Sequence, residues 1–452
     1  MPLPNKDIKK TDSGNLKPNE KILAPWDGFD YVYIVVYNIH GQALGKFVHV
    51  SAMEEIMELG QSVYAGVCFS TIHGVTVVNP NIVKRYKFGS KYMKPDLSTL
   101  VPNATPVCRG NNIGHVICDL LHWDGSLDVS SPRTCALLQL DKLLKLGLTL
   151  KSGIEFKFTI KGLKSKADME RESRFAATRE IGVYQELFLE FMDEMKNMGV
   201  IITSVQTDAG PSGFEFTCAP CDGILTADNT SRLRNALEVY LKRKGFEISY
   251  LTNFTLESVP VTQHYNFSLW KSDGTNAMAP VDGEKSADYL SDIGRHFLNG
   301  LCHHGPALAA FGLPTVHCYR LSRFKACPSY FNYGWNDKTK CVRLRGKEDN
   351  TMCEYRLASP QANPYLVFPS IVAAGIDGII RKLEMPDPVL PVPGDLPSAL
   401  SALKKDSVIM EAMGEELVNA FVYIKTTHEI EPLMAGETAS DEEMLKREME
   451  FY

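Results

Sequence analysis

The chain has 452 residues, of which 44% are hydrophobic and 23% charged, and its formal net charge at pH 7 is -6. That length builds a sizeable core, arranged as two or three domains or as one large domain with a smaller one attached. The acidic balance excludes nucleic-acid binding driven by a general basic surface. Eleven cysteines, odd in number and spread along the chain, point away from a disulfide framework or a zinc ribbon and toward reduced thiols.

Residues 1–25 are polar and lysine-rich, with Asp12, Ser13, Gly14 and Asn15 as turn formers, and read as a flexible tail. The tail lacks the apolar core of a secretory signal, and no later stretch approaches a membrane-spanning run of about 20 apolar residues, so the expectation is a cytoplasmic protein without a membrane partner. Order is expected from Pro25. Tyr31 to Tyr37 is β-rich, Asn38-Ile39-His40-Gly41 supplies a turn, and Lys46 to Val50 returns as a hairpin partner. Ser51 to Gly60 carries a serine cap and helix formers, and Val63 to Val78 is again β-like, which fits a small mixed α/β domain over residues 26–115.

After a proline-rich stretch, Val116-Ile117-Cys118-Asp119-Leu120 begins a second domain, residues 116–452. Ser131-Pro132-Arg133 starts a helix that Gly147 ends, because proline fills a helix position whose N–H lacks a partner anyway. A helix over residues 183–198 presents Leu187, Phe191 and Met195 at four-residue spacing, and Ser231 to Lys244 supplies another; both are expected to cover a sheet. Repeated prolines from Pro386 to Pro397 mark a linker or wrapping loop before the helix-forming run Ser398 to Lys425.

Several segments alternate apolar and polar residues, so that in a strand their ionisable groups share one face. In Ile154-Glu155-Phe156-Lys157-Phe158-Thr159-Ile160 the apolar residues point inward while Glu155, Lys157 and Thr159 line the other surface. The same alternation places Glu215 between Phe214 and Phe216, His264 and Asn266 about Tyr265, Arg343 between Val342 and Leu344, and Glu354 and Arg356 about Tyr355. Carboxylates and an imidazole are ligands for a divalent cation, and guanidiniums are donors for phosphate. A solvated sheet face is the plain alternative for any one segment.

In their order, these segments resemble the type I glutamine synthetases and, in character, the lens-associated lengsin branch of that family. The resemblance runs from about Asp30 to the end. It is carried by Pro95-Asp96-Leu97-Ser98-Thr99-Leu100, Gly153-x-Glu155, Gly210-Pro211-x-Gly213-Phe214-Glu215, His264-Tyr265-Asn266-Phe267-Ser268-Leu269-Trp270 and His304-Gly305-Pro306-Ala307-Leu308. Its longest string is Glu354-Tyr355-Arg356 with Ala362-Asn363-Pro364-Tyr365-Leu366 and Ala373-Ala374-Gly375-Ile376-Asp377-Gly378. The resemblance implies an α+β fold: a small N-terminal β-grasp-like domain and a large catalytic domain with a curved antiparallel sheet covered by helices. It also implies a homo-oligomer of stacked hexameric rings with clefts between neighbouring subunits.

Active members of the family use ATP and two divalent metals. By resemblance, one metal takes Glu155, His264 and Glu354, a complete ligand set for one Mg or Mn ion. The positions of the other metal read Lys157, Thr207 and Glu215, so that only Glu215 survives as a ligand. Asp208 stands next to Thr207, but a one-residue slip turns a strand side chain to the opposite face, so its rescue of the site requires a bulge. Unit charges about 4 Å apart interact by about 4 kcal/mol at an effective dielectric near 20, so an ammonium meets a divalent ion with roughly twice that as repulsion. A second metal is therefore not expected, and Lys157 is expected either to pair with Glu215 as a built-in cation or to turn out to solvent.

Arg320, Arg343 and Arg356 match arginines that contact substrate or phosphate, Lys338 stands for another, and Met352 replaces one near the phosphates. The flap glutamate of the family falls on Ala326, its second histidine on Asn266, and no aspartate stands in Phe69-Ser70-Thr71-Ile72-His73-Gly74. These losses lead to the expectation of a degenerate member without glutamine synthetase activity, with a structural, scaffold or chaperone-like role and cytoskeletal or other protein partners, as the resemblance to lengsin implies. The competing expectation is an active ATP-dependent glutamate–ammonia or glutamate–amine ligase with a modified metal centre.

Overall fold

The computed structural model describes residues 24–75, 85–161, 163, 175–208, 212–252, 259–280, 289–325, 327–435 and 440–452. Nearly all of the expected tail, the end of the Val63 to Val78 segment, Gly210, Pro211 and Ala326 lie outside them. All eleven cysteines are free thiols.

The first sheet holds β1 (Tyr31–Tyr37), β2 (Ala43–His49), β3 (Gln61–Tyr64), β4 (Ser90–Pro95), β5 (Val101–Cys108) and β6 (Asn111–Leu121), in the order β2-β1-β6-β4-β3 with β5 on β6. The expected hairpin is β1–β2, closed with Tyr37 opposite Ala43, and β1 runs parallel to β6. Helix α1 (Met53–Leu59) buries Met53 and Ile56, and Gly60, at φ 76°, ends it. The Val63 to Val78 expectation fails in part. The strand stops at Tyr64, and Val67–Phe69 turns as a short 3-10 helix because Cys68 and Phe69 insert completely into the core. The domain boundary expected after residue 115 falls inside β6, which pairs with β1 through Ile113–Ile117 and with β4 through Cys118–Leu121. The small sheet therefore extends to Leu121.

The second sheet has nine strands: β7 (Leu148–Lys161), β8 (Ile202–Thr207), β9 (Gly213–Cys218), β10 (Cys221–Asp222), β11 (Glu247–Ser249), β12 (Gln263–Lys271), β13 (Tyr333–Trp335), β14 (Val342–Arg345) and β15 (Met352–Ala358). Its order is β13-β14-β15-β12-β7-β9-β8, antiparallel except for β13–β14. One face is aromatic. Phe156, Phe158, Phe214 and Phe216 are all buried there, with Phe158 and Phe216 ring centroids 4.9 Å apart. Helices α2 (Pro132–Lys145), α3 (Thr178–Val183), α4 (Gln185–Asn197) and α5 (Leu225–Arg243) belong to this half of the chain. The helix expected over residues 183–198 is α4, but its buried stripe is Phe188, Phe191 and Met195, with Leu187 only partly covered.

Further helices follow: α6 (Asp292–His303), α7 (Gly305–Gly312), α8 (Pro364–Arg381), α9 (Leu396–Lys405), α10 (Ser407–Met413), α11 (Glu415–Lys425), α12 (Glu431–Met434) and α13 (Asp441–Phe451). The run expected as helix from Ser398 to Lys425 is three helices, broken where Asp406 caps α10 through Ile409 N and where Gly414 takes φ 87°. Against the sequence expectation, α8 is long and apolar enough by length and composition to cross a membrane; 78% of it is buried inside the fold, which is the position of a core helix.

The Ala373 to Gly378 string has a packing reason. A Cβ on Gly300 of α6 would stand 2.1 Å from the Ala374 carbonyl oxygen, and one on Gly378 would stand 2.1 Å from that of His296. Glycine lets α6 and α8 meet backbone to backbone. Gly300→Ala is expected to destabilise the fold by about 1–3 kcal/mol through overpacking, and an unchanged melting temperature would show that the two helices separate freely.

His304, between α6 and α7, ties three helices. Its Nδ1 lies 2.7 Å from Asp406 and its Nε2 3.0 Å from Asp377 of α8, which Arg381 also approaches at 3.3 Å. Burial disfavours the imidazolium, but Asp406 and then Asp377 outweigh it, so the folded pKa is raised above 6.5. The resulting stabilisation is fully present below the unfolded value near 6.5 and is lost as pH rises through the raised folded value. Thermal melts of the wild type and His304→Gln should therefore converge as pH rises; a constant gap would remove the ion pair as its cause.

Candidate active site

The polar face of the large sheet carries two adjoining clusters. Strand register builds the first: His264 of β12 is opposite Glu155 of β7, and Glu354 of β15 is opposite Asn266 of β12 on one side and Arg343 of β14 on the other. His264 Nδ1 lies 2.6 Å from Glu155 Oε2 and 3.2 Å from Glu354 Oε1. One donor atom from each of Glu155, His264 and Glu354 falls within 4.8 Å of the others. Two carboxylates and an imidazole at that spacing fit a divalent cation.

Burial pushes His264 down to about 4, helped by the Lys157 and Arg356 charges, so its imidazole is neutral at neutral pH, the form that ligates a metal. Burial works against ionisation of Glu155, but the hydrogen bond from His264 and the His264 and Lys157 charges hold its pKa down to about 2. Thr262 Oγ1 lies 3.2 Å from His264 Nε2, and Asn266 Nδ2 donates to Glu155 at 3.4 Å.

Guanidiniums surround Glu354. Arg343 donates to it at 3.0 Å, Arg356 donates to its other oxygen, and Arg345 stands 3.6 Å from Glu155 and 3.7 Å from Glu354. Arg345 went unnoticed in the sequence, although its place two residues beyond Arg343 on β14 puts it on the same face. Arg356 Nε also donates to the Lys338 carbonyl at 3.2 Å, while the Lys338 side chain is exposed. Arg320 is placed otherwise: it is buried in the 3-10 segment Val316–Arg323, and its Nε donates to Glu448 of α13 at 2.8 Å.

The second cluster is an ion triad. Lys157 Nζ lies 3.0 Å from Glu215 Oε2 and 3.1 Å from Asp208 Oδ2, and all three side chains are buried. Burial disfavours the ammonium, but Asp208 and Glu215 outweigh it and raise the Lys157 pKa. Gln206 Nε2 donates to Glu215 at 3.0 Å.

The ligand position assigned to Thr207 is corrected here. Ile202 is opposite Cys218 but Ser204 is opposite Thr217, so β8 carries one extra residue at its start. That bulge shifts the phase, placing Gln206 opposite Glu215 and Thr207 opposite Phe214. Thr207 faces away from the triad, and its hydroxyl accepts from Ala177 N at 2.7 Å. Asp208 takes the polar side instead.

Residues 129–445 match the family model described as glutamine synthetase, catalytic domain. The chain belongs to the glutamine synthetase family. A glutamine synthetase of Thermus thermophilus is 27% identical over 422 residues, 87% of this chain and 91% of that one. Human lengsin is 28% identical over 421 residues, 87% of this chain and 79% of lengsin. Overall identity thus does not separate this glutamine synthetase relative from the lengsins. The fold also matches the solved structure of a novel glutamine synthase homolog, with a TM-score of 0.82 at 20% identity over 97% of this chain and all of that one, and a GmaS/ADP complex, with a TM-score of 0.77 at 22% identity over 91% and 95%.

Proposed function

We propose that this glutamine synthetase family member lacks glutamine synthetase activity and serves in the cytoplasm as a ring-forming structural or scaffold protein that retains one divalent cation site and phosphate-binding arginines. The observation that carries this reading is the buried Lys157 ammonium, 3.0 and 3.1 Å from the two carboxylates beside the Glu155–His264–Glu354 cluster. Glu155, His264 and Glu354 would hold the cation, Mg or Mn, and Arg343 and Arg356 would face the phosphates of ATP. A bound cation supplies charge neutralisation for phosphate oxygens. With an ammonium fixed beside it, the site has half of the metal charge that phosphoryl transfer in this family draws on, and binding tolerates that loss better than catalysis, which needs positioning and charge stabilisation together.

The second reading, an ATP-dependent ligase joining glutamate to ammonia or another amine, is favoured by the intact Glu155–His264–Glu354 set. Incubation of the purified protein with magnesium, ATP, glutamate and a panel of amines decides between them. No amine-dependent ADP release is expected, and sustained release would overturn the scaffold reading.

A further inference from the structure

We propose that Lys157 is a fixed internal cation that does, for Asp208 and Glu215, what a second divalent ion would otherwise do, and that it excludes such an ion from this chain. This deepens, and rests on, the reading of a single retained cation site.

The argument begins with charge. Asp208, Glu215 and Lys157 are 4%, 5% and 6% exposed, so water supplies little of the solvation that two neighbouring carboxylates require. Something positive must lie between them, and the Lys157 ammonium contacts both. It is directed there by backbone register rather than by a chance rotamer. Lys157 is directly opposite Glu215 in the β7–β9 pairing, and the β8 bulge brings the polar side of that strand, with Gln206 opposite Glu215, onto the same face.

Glu155 lies two residues before Lys157 on β7, on the same face, so the ammonium and the three-donor cluster are immediate neighbours. A divalent ion at Asp208 and Glu215 would have to share its place with the ammonium. Among the described residues the donor set thus accepts one ion at Glu155, His264 and Glu354 and rejects a second. Removal of the ammonium would leave two buried carboxylates, with the Gln206 amide beside them, as a latent cation site, and a glutamate at position 157 would add a third carboxylate.

The test counts bound Mn ions per full-length chain by calorimetric titration and by the loss of the free-ion paramagnetic resonance signal. Lys157→Glu is expected to bind one more ion per chain than the wild type, Lys157→Gln is expected to gain the same site with weaker affinity, and Glu215→Gln in the otherwise wild-type chain is expected to leave the number unchanged. No gain in folded Lys157→Glu and Lys157→Gln, or loss of an ion in Glu215→Gln, would overturn the inference. Should neither lysine variant fold, the Glu215→Gln count decides alone. The increment tests Lys157, whereas the absolute number bound by the wild type tests the retained site, so the two can fail separately.

Discussion

Replacing Arg133 with methionine is expected to lower the stability of the fold by about 3–5 kcal/mol, the usual consequence of leaving a buried charge without its partner. Arg133 stands near the start of α2, and its Nε lies 3.0 Å from Asp228 of α5, its Nη1 2.6 Å from Asp119 of β6 and its Nη2 2.8 Å from Asp96. One planar guanidinium thereby joins the small sheet to the helices behind the large one, a fork geometry that a lysine does not reproduce. The three carboxylates do not count equally. Asp96 and Asp119 keep 28% and 26% side-chain exposure and are partly screened, whereas Asp228 is fully buried and also accepts from the Tyr365 hydroxyl at 2.5 Å. Asp228→Asn should therefore couple strongly to Arg133→Met in a double-mutant cycle, and Asp96→Asn weakly. An unfolding free energy for Arg133→Met, taken from urea titration, within about 1 kcal/mol of the wild type would show that the network is ornamental.

The polar face of the sheet was legible in the sequence because a strand repeats every two residues. Glu155, Lys157, Glu215, His264, Arg343, Glu354 and Arg356 all come from strands whose alternation fixes their facing, and the structure brings them to one surface. Alternation fails where an extra residue enters. The bulge at the start of β8 inverts Thr207 and Asp208, and no local composition in Ile202-Thr203-Ser204 announces it. Arg320 is a different case: its partner Glu448 lies 128 residues along the chain, in a helix that no short-range pattern connects to it. The same limit hid the turn at Val67–Phe69, where β-forming residues give up a strand to fill a core that tertiary contacts define. Residue spacing reports what a chain does locally, and register shifts and long-range ion pairs are settled by packing.

Glu354→Gln should weaken divalent-cation binding by about 100-fold or more, equivalent to about 2.7 kcal/mol, because ligand charge sets the affinity of an oxygen-rich site. Glu354 is 1% exposed and central: it lies 3.2 Å from His264 and accepts from Arg343 and Arg356. Those guanidiniums make it an unusual ligand, since an arriving cation must compete with two positive groups already on the same carboxylate. The competition has a sign that can be measured. Arg345 is 40% exposed and stands 3.6 and 3.7 Å from Glu155 and Glu354, so its replacement by alanine should tighten cation binding, but only a few-fold, because solvent screens it. Arg343→Ala, which removes a donor only 16% exposed at 3.0 Å, should tighten it more. Manganese titrations of the three variants are decisive as a set. If Glu354→Gln binds like the wild type, the cation lies elsewhere; if the arginine variants bind more weakly, the guanidiniums hold the ligands in place rather than compete for them.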